Sequence, residues 1–228
     1  MDKLSNAFSL LAFADEDAPI ASPSSTAITG KQGERANGSL EVGYYKQPLV
    51  WIDLEMTGLN VEVDRILEIA CIITDGKLTK SVEGPDLVVH QTKDCLDKMN
   101  DWCQTHHGAS GLTKKVLSST ISEKQAEQEV IEFVTKHIGS EHPLLAGNSV
   151  YVDLIFLKKY MPDLAALFSH VLVDVSSINA LCIRWFPRDK SKAPAKKKNH
   201  RAMDDIRESI KELKYYKENI FKANKARR

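Results

Sequence analysis

LVWIDLEM (Leu49–Met56), followed after a short gap by RILEIACIITD (Arg65–Asp75), is the stretch on which the fold turns. Both runs are dense in β-branched and large apolar residues, and the intervening NVEVD is turn-like, so they read as neighbouring strands. LVVHQ (Leu87–Gln91), after the turn-like DGKLTKSVEGPD (Asp75–Asp86), reads as a third strand and completes a meander. Downstream the period changes. Apolar residues at helical spacing, Ala126, Val130, Phe133 or Val134, and Ile138, predict a helix over Ser122–Ile138. A strand at Pro143–Val150 follows, then a helix at Val152–Met161 stopped by Pro162. His170–Asp174 reads as a strand, Ser176–Trp185 as a helix, and about Arg201 to Phe221 as a last helix. Antiparallel strands followed by strand–helix alternation predict an α/β fold with a mixed sheet, an antiparallel meander plus parallel strands, flanked by helices.

The chain has 228 residues, enough for one domain with a substantial core. Its 31 Lys and Arg balance its 31 Asp and Glu, so no long-range cationic field gathers polyanions, and any nucleic-acid contact must be local. Cys71, Cys95, Cys103 and Cys182 lack CxxC spacing, which argues against a zinc site or a disulfide framework and for an intracellular compartment. No run approaches the roughly 18 apolar residues that span a bilayer, so no membrane is expected. Residues 1–45 are rich in Ser, Ala, Gly and acids and read as a disordered leader. Asp15-Glu16-Asp17 does not suit an organellar presequence. Residues 46–222 form the folded domain and 223–228 a basic tail.

Asp53 and Glu55 lie two apart on a strand, so both side chains emerge on one face and repel unless a cation sits between them. Asp153 follows a strand and opens a helix, where an aspartate most simply caps backbone amides, but strand-end carboxylates of mixed sheets can also converge. In HRAMDDI, His200 and Asp205 would stand roughly 140° apart on one helix, so His200 belongs to the loop before it. Ala202, Ile206, Ser209, Ile210, Leu213 and Ile220 define the apolar face of that last helix. Asp205 falls roughly 80° from its centre and Asp204 roughly 180° away, which makes Asp205 the ligand candidate. Four hard carboxylates, Asp53, Glu55, Asp153 and Asp205, can hold two Mg²⁺ or Mn²⁺ ions, and His200 has the pKa, ordinarily about 6.5, of a base that activates water.

WIDLEMTGL, DWCQTHHGASGLT, PLLAGNSVYVD, KKYMP, DVSS and HRAMDDIRESIKEL occur in this order between about Pro48 and Phe221. In these motifs the chain resembles the oligoribonuclease family of the DEDDh-type 3′→5′ exonucleases, which have a ribonuclease-H-like fold. The resemblance implies a homodimeric, two-metal exoribonuclease that degrades short RNA oligonucleotides, dinucleotides and slightly longer, to 5′-mononucleotides; within the cell, cytoplasm and mitochondrion both stay open. It further implies that Leu59 wedges between two bases while Trp102 and His107 stack on or line the base site. Stacking tolerates any base. Ser149 and Ser176 would share a cap on the substrate's 5′ end.

One departure stands out. Where many members of the family have a Tyr-Arg pair before Asp-Val-Ser, the Tyr reaching into a dimer partner's site, this chain has His170 and Val171. Losing the Arg removes a permanent bidentate phosphate ligand, which His170 could replace in part when protonated. The Lys196–Lys198 run reads as a solvated loop, with attraction of substrate phosphates as its second reading. Two other functions stay open at this point: a related exonuclease acting on longer RNA or on DNA 3′ ends, and an inactive RNA-binding protein.

Overall fold

The computed structural model describes residues 45–196 and 201–221. The leader apart from Tyr45, the basic tail and His200 lie outside these described residues. A five-stranded mixed sheet forms the centre. Strands β1 (Leu49–Met56), β2 (Ile66–Thr74) and β3 (Ser81–Val88) make the expected antiparallel meander, and β4 (Leu144–Gly147) and β5 (Leu172–Asp174) extend it parallel to β1, in the order β3-β2-β1-β4-β5.

Alternation along β1 sorts its side chains between two cores. Val50, Ile52 and Leu54 pack with Ala126, Val130 and Val134 of α4 (Glu123–Ile138) and with Phe156 and Leu157 of α5 (Tyr151–Tyr160). Leu49 and Trp51 face the other way, toward Val175 and Cys182 of α7 (Val175–Trp185) and Met203, Ile206 and Tyr216 of α9 (Ala202–Asn219). All nine residues of β2 are buried, since it lies between β1 and β3 with helices on both faces. Burial of each large aliphatic side chain contributes about 1.5–3 kcal/mol.

The third strand lies earlier than the apolar run Leu87–Gln91 predicts, inside the segment read as a turn. β3 is an edge strand whose exposed and half-buried residues alternate, so it needs no continuous apolar run. Gly84 is required there because a Cβ would come within 2.3 Å of the Phe133 ring on α4. Beyond β3, Val89 still donates its N–H to Leu67 of β2 at 2.9 Å and forms a parallel bridge with Ile121, whose carbonyl accepts the His90 N–H at 2.8 Å.

Three short helices, α1 (Lys93–Asp97), α2 (Asp101–Ala109) and α3 (Leu112–Ser118), fill residues for which periodicity gives no element. Pro162 does end α5 but also opens the single turn α6 (Pro162–Ala165), where its missing N–H costs nothing. A further turn, α8 (Pro187–Lys190), follows α7 in a stretch for which no element is predicted.

Candidate active site

Asp53 and Glu55 continue the strand face of Leu49 and Trp51, the face covered by α9, at the end of β1 that emerges from the core. α9 begins at Ala202 after an extended Arg201, and its first turn brings Asp205 down onto that face. Oxygens of Asp53, Glu55 and Asp205 lie within 4.8 Å of one another. Asp204 turns outward and pairs with Arg207 at 2.9 Å, as the helical projection predicts.

Asp153 approaches from α5 on the opposite side of β1. It stands outside that group of three, buried, and accepts the Leu54 N–H at 2.9 Å, an amide beyond the short β1–β4 pairing. The carboxylate thus binds the first turn of α5 to the metal-side strand while also accepting its own backbone N–H.

Four acids in so small a volume disfavour ionisation. Burial raises the pKa of Glu55 to about 8, reinforced by Asp205, Glu68 and Asp153 and opposed by Arg201. Burial also pushes Asp153 up to about 7 against the lowering effect of the Leu54 amide. Asp53 is held well above the ordinary carboxyl range by burial and then by Asp153, Glu55 and Asp205. Hard, mutually repelling oxygens at this spacing fit a divalent cation, which would satisfy them together.

Beside this cluster lies a cleft of about 420 Å³ whose walls include Glu55, Leu59, Trp102 and His107. Leu59 is presented at the tip of the β1–β2 connection, 77 % exposed. Asp64 shapes that turn by accepting the Thr57 hydroxyl and the Asn60 N–H, each at 2.8 Å, and a side chain at Gly58 would collide with its carboxylate. α2, capped by Asn100, supplies the opposite wall. His107 is buried with Nε2 2.9 Å from the Met56 carbonyl and Nδ1 3.9 Å from Glu55. Trp102 is half exposed and stacks on His106 with centroids 4.0 Å apart, so His106 orients the indole.

Ser149 and Ser176 converge on a residue that spacing does not single out, Asp174. Its Oδ1 accepts the Ser149 N–H at 2.9 Å, the Ser176 N–H at 2.8 Å and the Ser176 hydroxyl at 2.6 Å. Ser149 adopts a positive φ of 57°, which turns the chain sharply from β4 into α5. His170 and Val171 are exposed just before β5. Ser149, Asp174 and Ser176 share with Asp53 and Glu55 the C-terminal edge of the parallel strands, where open α/β sheets bind ligands, whereas His170 and Val171 precede β5 and lie at its N-terminal end.

Lys196 is not a free phosphate attractor: it pairs with Glu212 at 3.0 Å and reaches Asn148 at 3.2 Å. The other conspicuous residue is Glu68. A lone acid within the apolar run of β2, it is fully buried and bonded to Arg201.

Residues 50–213 match the family described as Exonuclease. An oligoribonuclease of Arabidopsis thaliana is 80 % identical over 225 residues, covering 99 % of this chain and all of that protein. A mitochondrial oligoribonuclease of Homo sapiens is 48 % identical over 195 residues, covering 85 % of this chain and 82 % of its own. Among solved structures, zinc-bound exonuclease I of E. coli in complex with single-stranded DNA superposes with a TM-score of 0.60 at 16 % identity. That match covers 78 % of this chain and 42 % of exonuclease I.

Proposed function

Because this chain belongs to the exonuclease family and stands among the oligoribonucleases, we propose that it is a 3′→5′ exoribonuclease that degrades short RNA, dinucleotides and slightly longer, to 5′-mononucleotides. The observation that carries the chemistry is the convergence of Asp53, Glu55 and Asp205 within 4.8 Å beside a cleft walled by Leu59 and Trp102.

In this reading Asp53, Glu55, Asp153 and Asp205 hold two divalent cations, Mg²⁺ or Mn²⁺. Bound there, such ions polarise a phosphodiester and lower the pKa of an attacking water. The chain's own groups do the rest. His200, which directly precedes Arg201 in sequence, accepts the water's proton as the oxygen attacks the 3′-terminal phosphorus in line. The P–O bond to the penultimate 3′ oxygen breaks, leaving a 5′-mononucleotide and a shortened RNA with a 3′ hydroxyl. Leu59 inserts between the two bases, and Trp102 and His107 hold them by contacts that every base can make. Ser149 and Ser176, fixed by Asp174, cap the 5′ end with His170.

The active form in this reading is a homodimer. Large apolar side chains exposed one turn apart, Tyr151 with Ile155 on α5 and Leu181 with Trp185 on α7, support it. No described helix is long and apolar enough to cross a membrane. An intracellular site of action accords with four free cysteines, and mitochondrial is part of the human relative's name.

The test is Asp205→Ala assayed on a labelled dinucleotide with Mg²⁺ or Mn²⁺. Turnover should fall by at least about 10²-fold, since a metal ligand is lost, while Asp204→Ala, whose partner is the surface Arg207, stays within about twofold. Equal turnover in the two variants overturns the assignment. Faster cleavage of a 20-mer than of the dinucleotide would favour the longer-substrate exonuclease instead, and metal-dependent mononucleotide release eliminates an inactive RNA-binding protein.

A further inference from the structure

We propose that Glu68 and Arg201 form a positioning pair that sets the start of α9, and with it Asp205, against Asp53 and Glu55. The inference rests on the reading of those three acids as a divalent-cation site.

Arg201 occupies the N-cap position of α9, yet no side chain of its own segment caps the helix. Glu68 does so from β2. Its Oε2 accepts the Ala202 N–H at 3.2 Å, while the Arg201 guanidinium donates from Nε at 3.0 Å and from Nη2 at 2.5 Å to Oε1. The Arg201 carbonyl in turn accepts the Asp205 N–H at 3.0 Å. A single residue is therefore clamped to the sheet through its side chain and to the proposed metal ligand through its backbone.

The register gives this clamp its direction. Glu68 is the cross-strand partner of Glu55, so both carboxylates project from the sheet face that α9 covers. Ala70 and Ile72, the next residues on that face of β2, pack against the α9 core. An apolar residue at 68 could have joined them, and replacing a buried ion pair by packed apolar groups is often neutral or stabilising. A fully buried acid here is poorly explained by stability alone. The guanidinium, whose side chain is 23 % exposed, also offsets an anionic charge next to Glu55 that would otherwise disfavour a fourth acid. Removing Glu68 takes away the acceptor of the Ala202 N–H, and removing the Arg201 guanidinium leaves Glu68 a buried, unpaired anion, so either change shifts the first turn of α9, and Asp205 with it, relative to Asp53 and Glu55. His200 directly precedes Arg201 in sequence.

The experiment compares wild type with Glu68→Gln, Arg201→Gln and the double variant, using calorimetric titration of metal-free protein with Mn²⁺, dinucleotide kinetics and thermal melting. Glu68→Gln keeps the size of the side chain and an acceptor for Ala202. Removal of groups that orient metal ligands typically costs 10–100-fold in metal affinity or activity. The expected result is a Mn²⁺ Kd raised about tenfold and kcat lowered about 10–100-fold, with dinucleotide KM within about twofold. Each single variant should show the same loss, and the double variant no more than either, because the two act as one unit. Should Glu68→Gln fail to fold, Arg201→Gln, at the part-exposed partner, decides the matter by the same measurements. A lowered melting temperature with wild-type Mn²⁺ affinity and kcat overturns the proposal, as do losses that multiply in the double variant. A wild type that shows no metal-stimulated release of mononucleotide overturns the functional reading and this inference together, whereas an active wild type with indifferent variants removes only the pair.

Discussion

Glu55 is a carboxyl with a pKa near 8, and Asp153 one near 7, because burial and neighbouring acids penalise both anions. Their pKa values in the unfolded chain are ordinary, about 4. The native metal-free state therefore binds more protons than the unfolded state across the interval between. The stabilisation from those protons is complete below about pH 4 and is lost as pH rises through 7 to 8. Metal-free protein should accordingly melt at progressively lower temperature from about pH 5 to about pH 8 and level off above, on the order of 1.4 kcal/mol for each pH unit over which the native state keeps one proton that the unfolded chain has released. Mg²⁺ should restore the loss, and its binding should release protons at pH 6 but few at pH 9. Melting curves with and without Mg²⁺, and calorimetry in buffers of different ionisation enthalpy, check this. A melting temperature that is flat or rises with pH would contradict the placement of these acids. At this scale the sequence is unusually readable: period-two spacing puts Asp53 and Glu55 on one face, and the helical projection separates Asp205 from Asp204. Glu68 escapes the same reading because periodicity absorbs it into an apolar run, although one acid among eight apolar and hydroxyl residues is itself a signal.

Two helix starts in this fold, those of α6 and α9, are held by acids from other elements. α6 has no local side-chain cap, and Glu127 of α4, almost wholly buried, accepts the N–H of Asp163 at 2.7 Å and of Leu164 at 3.2 Å while pairing with Lys124 at 2.9 Å. Glu127→Ala should destabilise the protein by about 1–3 kcal/mol in denaturant unfolding, because two buried amides lose their acceptor, and Glu127→Gln by less. Specific activity per folded molecule should be unchanged, since α6 lies on the α4 side of the sheet, away from the acids of β1. A loss below about 0.5 kcal/mol would show that water replaces the carboxylate. Caps of this kind are invisible to local sequence rules, which look for Ser, Thr, Asp or Asn at the helix boundary. The same limitation explains which elements could be read. α4 announces itself through Ser122 and a clean apolar stripe, whereas α1 to α3 are too short for periodicity, and β3 is an edge strand spaced around Gly84. α2 matters most among these, because it carries Trp102 and His107 into the cleft.

For the molecule as a whole, the metal cluster and the end of the substrate groove pose different problems. The acids are assembled by one chain, from β1, α5 and α9. The 5′-end cap in the oligoribonuclease reading is shared across a dimer, and there the chain carries His170 and Val171, both exposed before β5. A permanently charged, bidentate Arg in place of Val171 would hold a terminal phosphate that histidine holds only when protonated. Sequence reveals this substitution but not its consequence, because in the oligoribonuclease reading the surface it faces would be supplied by a second copy. Sedimentation should give twice the mass of the chain, and a substrate series from two to about ten nucleotides should then separate wild type from the His170→Tyr/Val171→Arg variant. The variant should favour the dinucleotide over longer RNA about tenfold more strongly than wild type does, in keeping with a gained charge-assisted phosphate contact of roughly 1.5 kcal/mol. Its advantage should hold as pH rises from 6 to 8, because a guanidinium keeps its charge throughout that range. Identical length profiles in the two proteins would show that Ser149 and Ser176, braced by Asp174, are sufficient to set the end of the site.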